Sequence, residues 1–434
     1  MDRDSTEAGT WRERAYPWYA AVLFMLVYLC SAVDRMVISV VTEPLKHAFH
    51  LSDGQIGILA GVAFSAPFAI ASLPMGWLVD RLNRCLLLAG IMTVWSLSTM
   101  LGAIPLGYHF LLSCRMLVGA AEAGAHPACL SLIADFFPPN RRATAVSIFA
   151  TGTALASYIV YLVGGWLVVN YSWHAVFLLA GIPGILLAIL TLITLREPPR
   201  GRYDTAGPDG LPERKLTLRE TSQLILRTRP MLHAITAHML ATGVQWAIVT
   251  FIVALMTRVH GLSLGQATVW VGVAIGTFQT IGSLGSGPII DWIGRGSTRT
   301  LAGWLTCMAI ACLVAGMGVL YAPTAEFAIA ALCVQTLCAG MLTGPSYALL
   351  IATSPARARG SSISLARLIS SLIGNSGLGF FAGFVSDLVG GPDSIRVGLA
   401  ATMLFFAWSS FHYLMVRRLV AKESDQSTDA LVQA

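Results

Sequence analysis

Twelve stretches of about 20 predominantly apolar residues punctuate this 434-residue chain, and they limit its folding more than any other feature. A bilayer core of about 30 Å needs roughly 20 apolar residues per helical crossing, and every backbone polar group inside it must be satisfied locally. The stretches lie at about 18–41, 54–78, 85–107, 109–135, 144–169, 174–195, 231–256, 266–290, 300–321, 326–352, 361–387 and 397–416. Hydrophobic residues make up 56% of the chain and charged residues only 12%, against roughly 25% charged in soluble domains. This composition excludes a string of soluble domains, a disordered chain, collagen and a secreted disulfide scaffold. The fold class is therefore an all-α integral membrane protein with 12 transmembrane helices.

The formal charge of +6 is explained by where the bases lie. Of 28 Lys and Arg, 22 sit in the N-terminus, the even-numbered loops, the central loop and the C-terminal tail. The odd-numbered loops hold only Lys46, Arg258 and Arg396, and Arg35, Arg115 and Arg367 fall inside spans. Such a bias predicts both termini on the cytoplasmic side. The charge records topology, and no nucleic-acid partner is expected. The first apolar run is too long for a cleavable signal peptide and lacks a small-residue cleavage site. None of the eight cysteines pairs with another in an odd-numbered loop, so neither a disulfide framework nor a metal site is expected, and no cofactor.

One long polar interruption, from Arg196 to Arg229, is rich in Pro and Gly and carries charges of both signs. It reads as a cytoplasmic linker (196–230) between two six-helix bundles, 18–195 and 231–416. A cytoplasmic N-terminus (1–17) and tail (417–434) flank them. Leu216 to Leu226 is expected to form a short surface helix. The halves repeat each other. Gly76, Asp80 and Arg84 after span 2 match Gly287, Asp291 and Arg295 after span 8, at an offset of 211 residues. Pro139-Asn140-Arg141 after span 4 matches Pro355-Ala356-Arg357 after span 10, at an offset of 216. Same-orientation duplication marks transporters. In the loop motif the Gly permits close helix approach, and the acid and base can contact neighbouring helix ends in one conformation and release them in another. Gly76, Asp80, Arg81, Arg84, Asp291 and Arg295 are thus expected gating residues. The alternative is a basic turn that only obeys topology.

Six plus six spans with these loops resemble the major facilitator superfamily, whose fold is two pseudo-symmetric six-helix bundles. Several strings are similar to its spinster-like branch of lipid and lysolipid transporters, which has many bacterial members. They are Asp34-Arg35, Trp95-Ser96-Leu97-Ser98-Thr99, the run from Arg115 to Gly124 followed by Pro127, Ile133-Ala134-Asp135-Phe136-Phe137-Pro138, Arg141-Arg142-Ala143 and Glu197-Pro198-Pro199-Arg200-Gly201. The chain departs from the superfamily at Asn83, where Gly is usual, and at Cys85, where a base is usual. The span 5 antiporter pattern is degraded to Val160-Tyr161-Leu162-Val163-Gly164-Gly165, which counts against drug efflux. The resemblance implies a bacterial inner (plasma) membrane protein. It also implies that spans 1 and 4 face spans 7 and 10 across a cavity, and that the acid–Arg pair of span 1 and the Arg and Glu of span 4 carry proton coupling and substrate binding.

An ionised side chain at the bilayer centre costs about 2.5–3.5 kcal/mol on insertion scales, so each one within a span calls for a reason. Span 1 enters near Trp18, which puts Asp34 roughly 24 Å along the helix. Arg115 on span 4 falls at a similar depth, Glu122 lies two turns further along the same face, and His126 one turn beyond. Asp34 and Glu122 are expected to couple protons, because burial disfavours an ionised carboxylate, a nearby guanidinium favours it, and both influences change as a cavity opens and closes. Arg35, Arg115 and His126 are expected to bind substrate, the two arginines by exchanging a carboxylate for an anionic head group. A packing role is the alternative for each and the stronger one for His126. Arg367 can snorkel to the surface. His238, Trp246, Gln335, Tyr347 and Asn375 are further polar or aromatic candidates. Gly272 and Gly276, Gly340 and Gly344, and Gly379 and Gly383 read as packing faces.

The leading functional expectation is a proton-coupled secondary active transporter working by alternating access on an amphipathic, lysolipid- or sphingoid-like substrate. A second half nearly free of intramembrane charge favours an amphipath. The alternative is a proton-driven symporter for a small organic anion, such as an aromatic or sugar acid. A non-transporting receptor or scaffold is the remaining class. An enzyme is not expected, because no Walker loop, zinc-protease motif or serine-nucleophile motif is present. Expected partners are the small-molecule or lipid-like substrate, protons and membrane lipids, with the chain a monomer.

Overall fold

A computed structural model describes residues 11–104, 106–203, 218–294, 297–354, 359–391 and 393–432. Twelve helices among them are long and apolar enough to cross a membrane. They are α1 (Ala15–Phe49), α2 (Asp53–Arg81), α3 (Arg84–Leu101), α4 (Tyr108–Phe136), α5 (Thr144–Asn170), α6 (Trp173–Thr194), α7 (Arg229–Arg258), α8 (Leu264–Ile293), α9 (Thr298–Leu320), α10 (Ala325–Thr353), α11 (Ser362–Val389) and α12 (Ser394–Ala421). A short linker helix, Leu218–Arg227, precedes α7. The described residues contain no strand. The chain is an all-α integral membrane protein, with spans centred where hydropathy places them. Two boundaries moved for physical reasons. Helix α1 runs on to Phe49 through Glu43, Lys46 and His47, polar residues that hydropathy discounts. Helix α3 stops at Leu101, because the Gly102 N–H closes the helix onto Ser98 and Thr99, and Gly107, at φ 113°, turns the chain.

The starts of α2 and α8 share a device. Ser52 caps α2 and Gln55 reaches back to the cap; Ser263 and Gln266 do the same for α8. Each reciprocal pair satisfies two orphan N–H groups. The strings Leu51-Ser52-Asp53-Gly54-Gln55 and Leu262-Ser263-Leu264-Gly265-Gln266 lie 211 residues apart, a further element of the repeat. Four π-helical turns repeat as well: Ile58–Val62 in α2 and Ala274–Gln279 in α8, 216 apart, and Ile159–Gly164 in α5 and Ser370–Asn375 in α11, 211 apart. The degraded pattern of span 5 is thus one of these wide turns, a feature frequent at functional sites.

Packing divides the described residues into two units. The first comprises the chain up to Val37, Ala66–Ile159, and His174 to the linker. The second comprises Ile38–Ser65, Val160–Trp173 and the chain from the linker helix onward. Within the second unit, α2 crosses α11 and α5 crosses α8 at glycines. A Cβ on Gly57 would lie 2.8 Å from the Gly379 carbonyl oxygen, and one on Gly165 would collide with the Thr268 side chain. Gly272, Gly340 and Gly383 also sit hard against neighbours.

Candidate functional site: buried charges on α1 and α4

In the first unit, α1 supplies Asp34, Arg35 and Ser31, α3 supplies Thr99, and α4 supplies Arg115 and Glu122. Helix α4 is interrupted at Ala123–Gly124, directly after Glu122. Pro127 accounts for the break, since it has no N–H and its ring opposes the carbonyl four residues back. Gly124 lets the break pack onto Ile91 and Met75.

Asp34, Arg115 and Glu122 are 0%, 3% and 2% exposed, whereas the Arg35 side chain is 28% exposed. Two pairings result. Arg115 Nη1 donates to the Asp34 carbonyl oxygen at 2.8 Å, and Thr99 Oγ1 donates to Asp34 Oδ1 at 2.8 Å. Arg35 Nε lies 3.2 Å from Glu122 Oε2, which also accepts from Ser31 Oγ at 2.8 Å, and Arg35 Nη2 donates to that same hydroxyl. Asp34 Oδ2 and Glu122 Oε1 accept no hydrogen bond from described residues. The depth estimate thus brings Asp34 and Arg115 together, while Arg35 reaches back one turn to Glu122. His126 sits apart, edge-on to Tyr28 (5.5 Å) and Phe149 (5.3 Å), which stack on each other at 4.5 Å. The Arg35 guanidinium lies 5.9 Å from the Tyr28 ring centre and links the aromatic group to the charges.

The loop residues expected to gate are separated by the structure. Arg84 is buried. Its guanidinium donates to Glu197 Oε1 (2.6 Å), Ser131 Oγ (2.8 Å) and Asp135 Oδ2 (2.5 Å). Glu197 Oε2 also accepts the N–H groups of Arg84 (2.8 Å) and Cys85 (3.2 Å), capping α3, and Asn83 Oδ1 accepts the Leu86 N–H. Both departures from the family pattern therefore lie at a capped helix start. Arg200 closes the end of α2 on the carbonyls of Val79, Asp80 and Leu82, and the Gly201 N–H binds Asp135. Asp80 and Arg81 are exposed, Arg81 lying over Trp77, and Asp291 is exposed too. A Cβ on Gly76 or Gly287 would meet nothing within 4 Å, so the close approach expected there is not made. Arg295 and the Pro355–Arg357 motif lie outside the described residues. Asp135, Glu197 and Arg200 stood in the motif strings but received no role from the sequence.

A second cluster, in the second unit, was also missed. Arg258 at the end of α7 binds Glu43 of α1 and both carboxylate oxygens of Asp53 at the start of α2. Asp53 also takes Lys46 and Ser386, and Asp387 of α11 accepts the N–H groups of Asp53 (2.8 Å) and Gly54 (2.7 Å). The signal was available: Lys46 and Arg258 are two of the three bases on that side of the membrane plan. The third, Arg396, lies 3.7 Å from Asp393. Elsewhere in this unit, Gln335 of α10 donates to Gln245 of α7 at 3.1 Å, and the rings of His238 and Tyr347 lie 4.9 Å apart. Among described residues, no group of three or more His, Cys, Asp or Glu is placed to hold a metal ion.

Twelve apolar helices that keep paired charges between their spans define a polytopic membrane protein of the transporter type. Residues 24–378 match the Major Facilitator Superfamily, and the chain belongs to that family of transporters. It is 32% identical over 291 residues to an MFS-type efflux pump of Mycolicibacterium smegmatis, covering 65% of each chain. It is 32% identical over 201 residues to a probable galactarate/D-glucarate transporter of Bacillus subtilis (45% of this chain, 44% of the relative). It is 30% identical over 206 residues to mouse spinster homolog 1 (47% and 39%). The chain thus spans less than two thirds of each relative's length. Its fold matches the crystal structure of a bacterial homolog of the human lysosomal transporter Spinster, at TM-score 0.86 and 24% identity over 95% of this chain and 99% of the other. It also matches a D-xylose-proton symporter at TM-score 0.70 and 17% identity, over 90% and 97%.

Proposed function

We propose that this chain is a proton-coupled secondary active transporter that works by alternating access and carries an amphipathic, lysolipid- or sphingoid-like molecule with an anionic group. The observation that supports it is the burial of two carboxylates, Asp34 and Glu122, beside two guanidiniums, Arg35 on the Glu122 carboxylate and Arg115 on the Asp34 backbone carbonyl, each acid keeping one oxygen without a hydrogen bond. Ionised groups so placed are expensive, and expensive groups within spans mark ion and substrate pathways. Arg35 is the partly exposed member, so a substrate anion can reach it and displace Glu122, leaving that acid to take a proton. Asp34 and Glu122 are the coupling residues, and Arg35 and Arg115 the anion binders, with His126 beside them in an aromatic wall. Arg84 and its carboxylates act as a conformational contact. In this reading the protein is a monomer of a bacterial inner membrane with both termini cytoplasmic.

A small organic anion is the second reading, favoured by the likeness to a probable galactarate/D-glucarate transporter. Proton-driven flux in proteoliposomes, assayed with a lysolipid panel and an organic-anion panel, separates the two. Glu122→Gln is expected to abolish the dependence of flux on the proton gradient while substrate exchange persists. Unchanged gradient dependence removes Glu122 from coupling. Arg115→Ala is expected to weaken anion binding; unaltered affinity makes Arg115 a packing residue.

A further inference from the structure

We infer that the second unit carries a neutral subsite, built from Gln245, Gln335, His238 and Tyr347, that takes a hydroxyl group of the transported molecule. This rests on the transporter reading above and narrows its substrate.

The Gln245–Gln335 pair joins α7 to α10 by one amide–amide hydrogen bond of 3.1 Å. Gln335 is 1% exposed, yet its Oε1 has no hydrogen-bond partner, and the Nε2 of Gln245 is buried without one too. The conclusion does not depend on which way either amide is turned. An amide has one acceptor and one two-proton donor, so two amides joined by a single bond always leave one carbonyl oxygen and one NH2 uncommitted. Buried polar atoms left in this state are rare and call for an explanation. A hydroxyl supplies what both require, because it donates one hydrogen bond and accepts others. A carboxylate offers no donor, and an ammonium offers no acceptor.

The surroundings point the same way. His238 lies seven residues before Gln245, on the same face of α7. It is 2% exposed, its Nδ1 has no hydrogen-bond partner, and it packs on Tyr347 of α10. Helices α7 and α10 run antiparallel, so the two pairs form successive polar rungs between the same helices. On the α11 side, Gly243 backs onto Gly374 so tightly that a Cβ would lie 2.7 Å from the Gly374 carbonyl carbon. The next residue, Asn375, holds a further buried oxygen without a hydrogen bond. Arg367 of α11, a charged side chain that acts on His238, is itself exposed. The rungs are therefore neutral, in contrast to the charges of the first unit.

Both a lysolipid and a sugar acid combine an anion with hydroxyls, so the source is decided by matched probes. Equilibrium binding is measured on the full chain in nanodiscs with two pairs: 1-palmitoyl lysophosphatidic acid and its 2-deoxy counterpart, and D-glucarate and adipate. In one pair the hydroxylated probe is expected to bind about tenfold more tightly than its partner, and that pair identifies the source. The double variant Gln245→Leu/Gln335→Leu removes both amides together and so leaves no orphan. It is expected to erase the preference while the deoxy probe keeps its affinity to within about twofold. Should the double variant fail to fold, Gln335→Met, close in length, is expected to give the same loss. The inference is overturned if neither pair shows a preference, which leaves the rungs to water alone. It is also overturned if neither hydroxylated probe binds, or if the preference survives in the variants. Arg35→Gln tests the anion site separately: unchanged adipate affinity would count against that site and leave the hydroxyl subsite standing.

Discussion

Asp34 and Glu122 are equally hidden but differently held. Glu122 meets a charge, Arg35, and a hydroxyl, whereas Asp34 Oδ1 accepts from the Thr99 hydroxyl and Arg115 donates to the Asp34 backbone carbonyl. Thr99 anchors the Asp34 carboxylate through a side-chain hydrogen bond, and Thr99→Val, which keeps the shape and removes the donor, isolates it. The variant is expected to lower stability by about 1–3 kcal/mol, the cost of leaving a buried charged acceptor without its donor. A melting temperature equal to that of the unmodified protein would mean that water replaces the hydroxyl. The sequence could rank the acids by depth, because 1.5 Å per residue is fixed by helix geometry. It could not say which arginine serves which acid, because that depends on side-chain reach: Arg35 folds back past Ser31 to meet Glu122 of α4, while Arg115 meets the Asp34 backbone.

At the level of the helix, the loop motif after span 2 dissolves into individual jobs. Asp80, Arg81 and Arg84 share a signature, yet only Arg84 is enclosed, and it is enclosed by a strap from beyond α6 whose Glu197 also caps α3. Two N–H groups left without an intrahelical partner at a helix start and a buried guanidinium meet one carboxylate there, a favourable place for negative charge. Arg84→Ala strands Asp135 and Glu197 and is expected to cost about 3–5 kcal/mol. Asp80→Asn changes an exposed group and is expected to stay within about 0.5 kcal/mol. Thermal denaturation in detergent compares them, and equal effects would refute the distinction. Spans were readable because twenty apolar residues admit few alternatives in a bilayer. The π turns were not, since a wide turn is set by packing between helices. The serine–glutamine caps are legible, because Ser and Gln three residues apart ahead of an apolar run are a helix-start signature. The strap was hidden by sequence distance, with Glu197 standing 113 residues from Arg84.

Across the whole molecule, the same charge rule that sets topology also predicts where bases are tolerated on the poorly charged side. Lys46, Arg258 and Arg396 each have a carboxylate within 4.0 Å, so none is carried there uncompensated. Asp53 is the hub. It is 3% exposed, holds Lys46, Arg258 and Ser386, and its own N–H is held by Asp387. The duplicated cap of α8 has Leu264 where α2 has Asp53, so of the two copies the α2 cap carries the acid that joins α1, α2, α7 and α11. Under the alternating access proposed above, a lock on one side stabilises the state in which that side is shut, and each 1.4 kcal/mol it loses raises the open population about tenfold. Asp53→Asn leaves two bases without their common partner and is expected to open this side. Ser394, buried beneath the lock and bonded to Ser386 at 2.9 Å, is the reporter. In a Ser394→Cys background, Asp53→Asn is expected to speed labelling by an impermeant maleimide about tenfold or more. Arg258→Gln, which frees Glu43 and half of Asp53, is expected to do so to a smaller extent. Labelling that stays as slow in both variants as in the Ser394→Cys parent would show that the cluster packs helix ends and locks nothing.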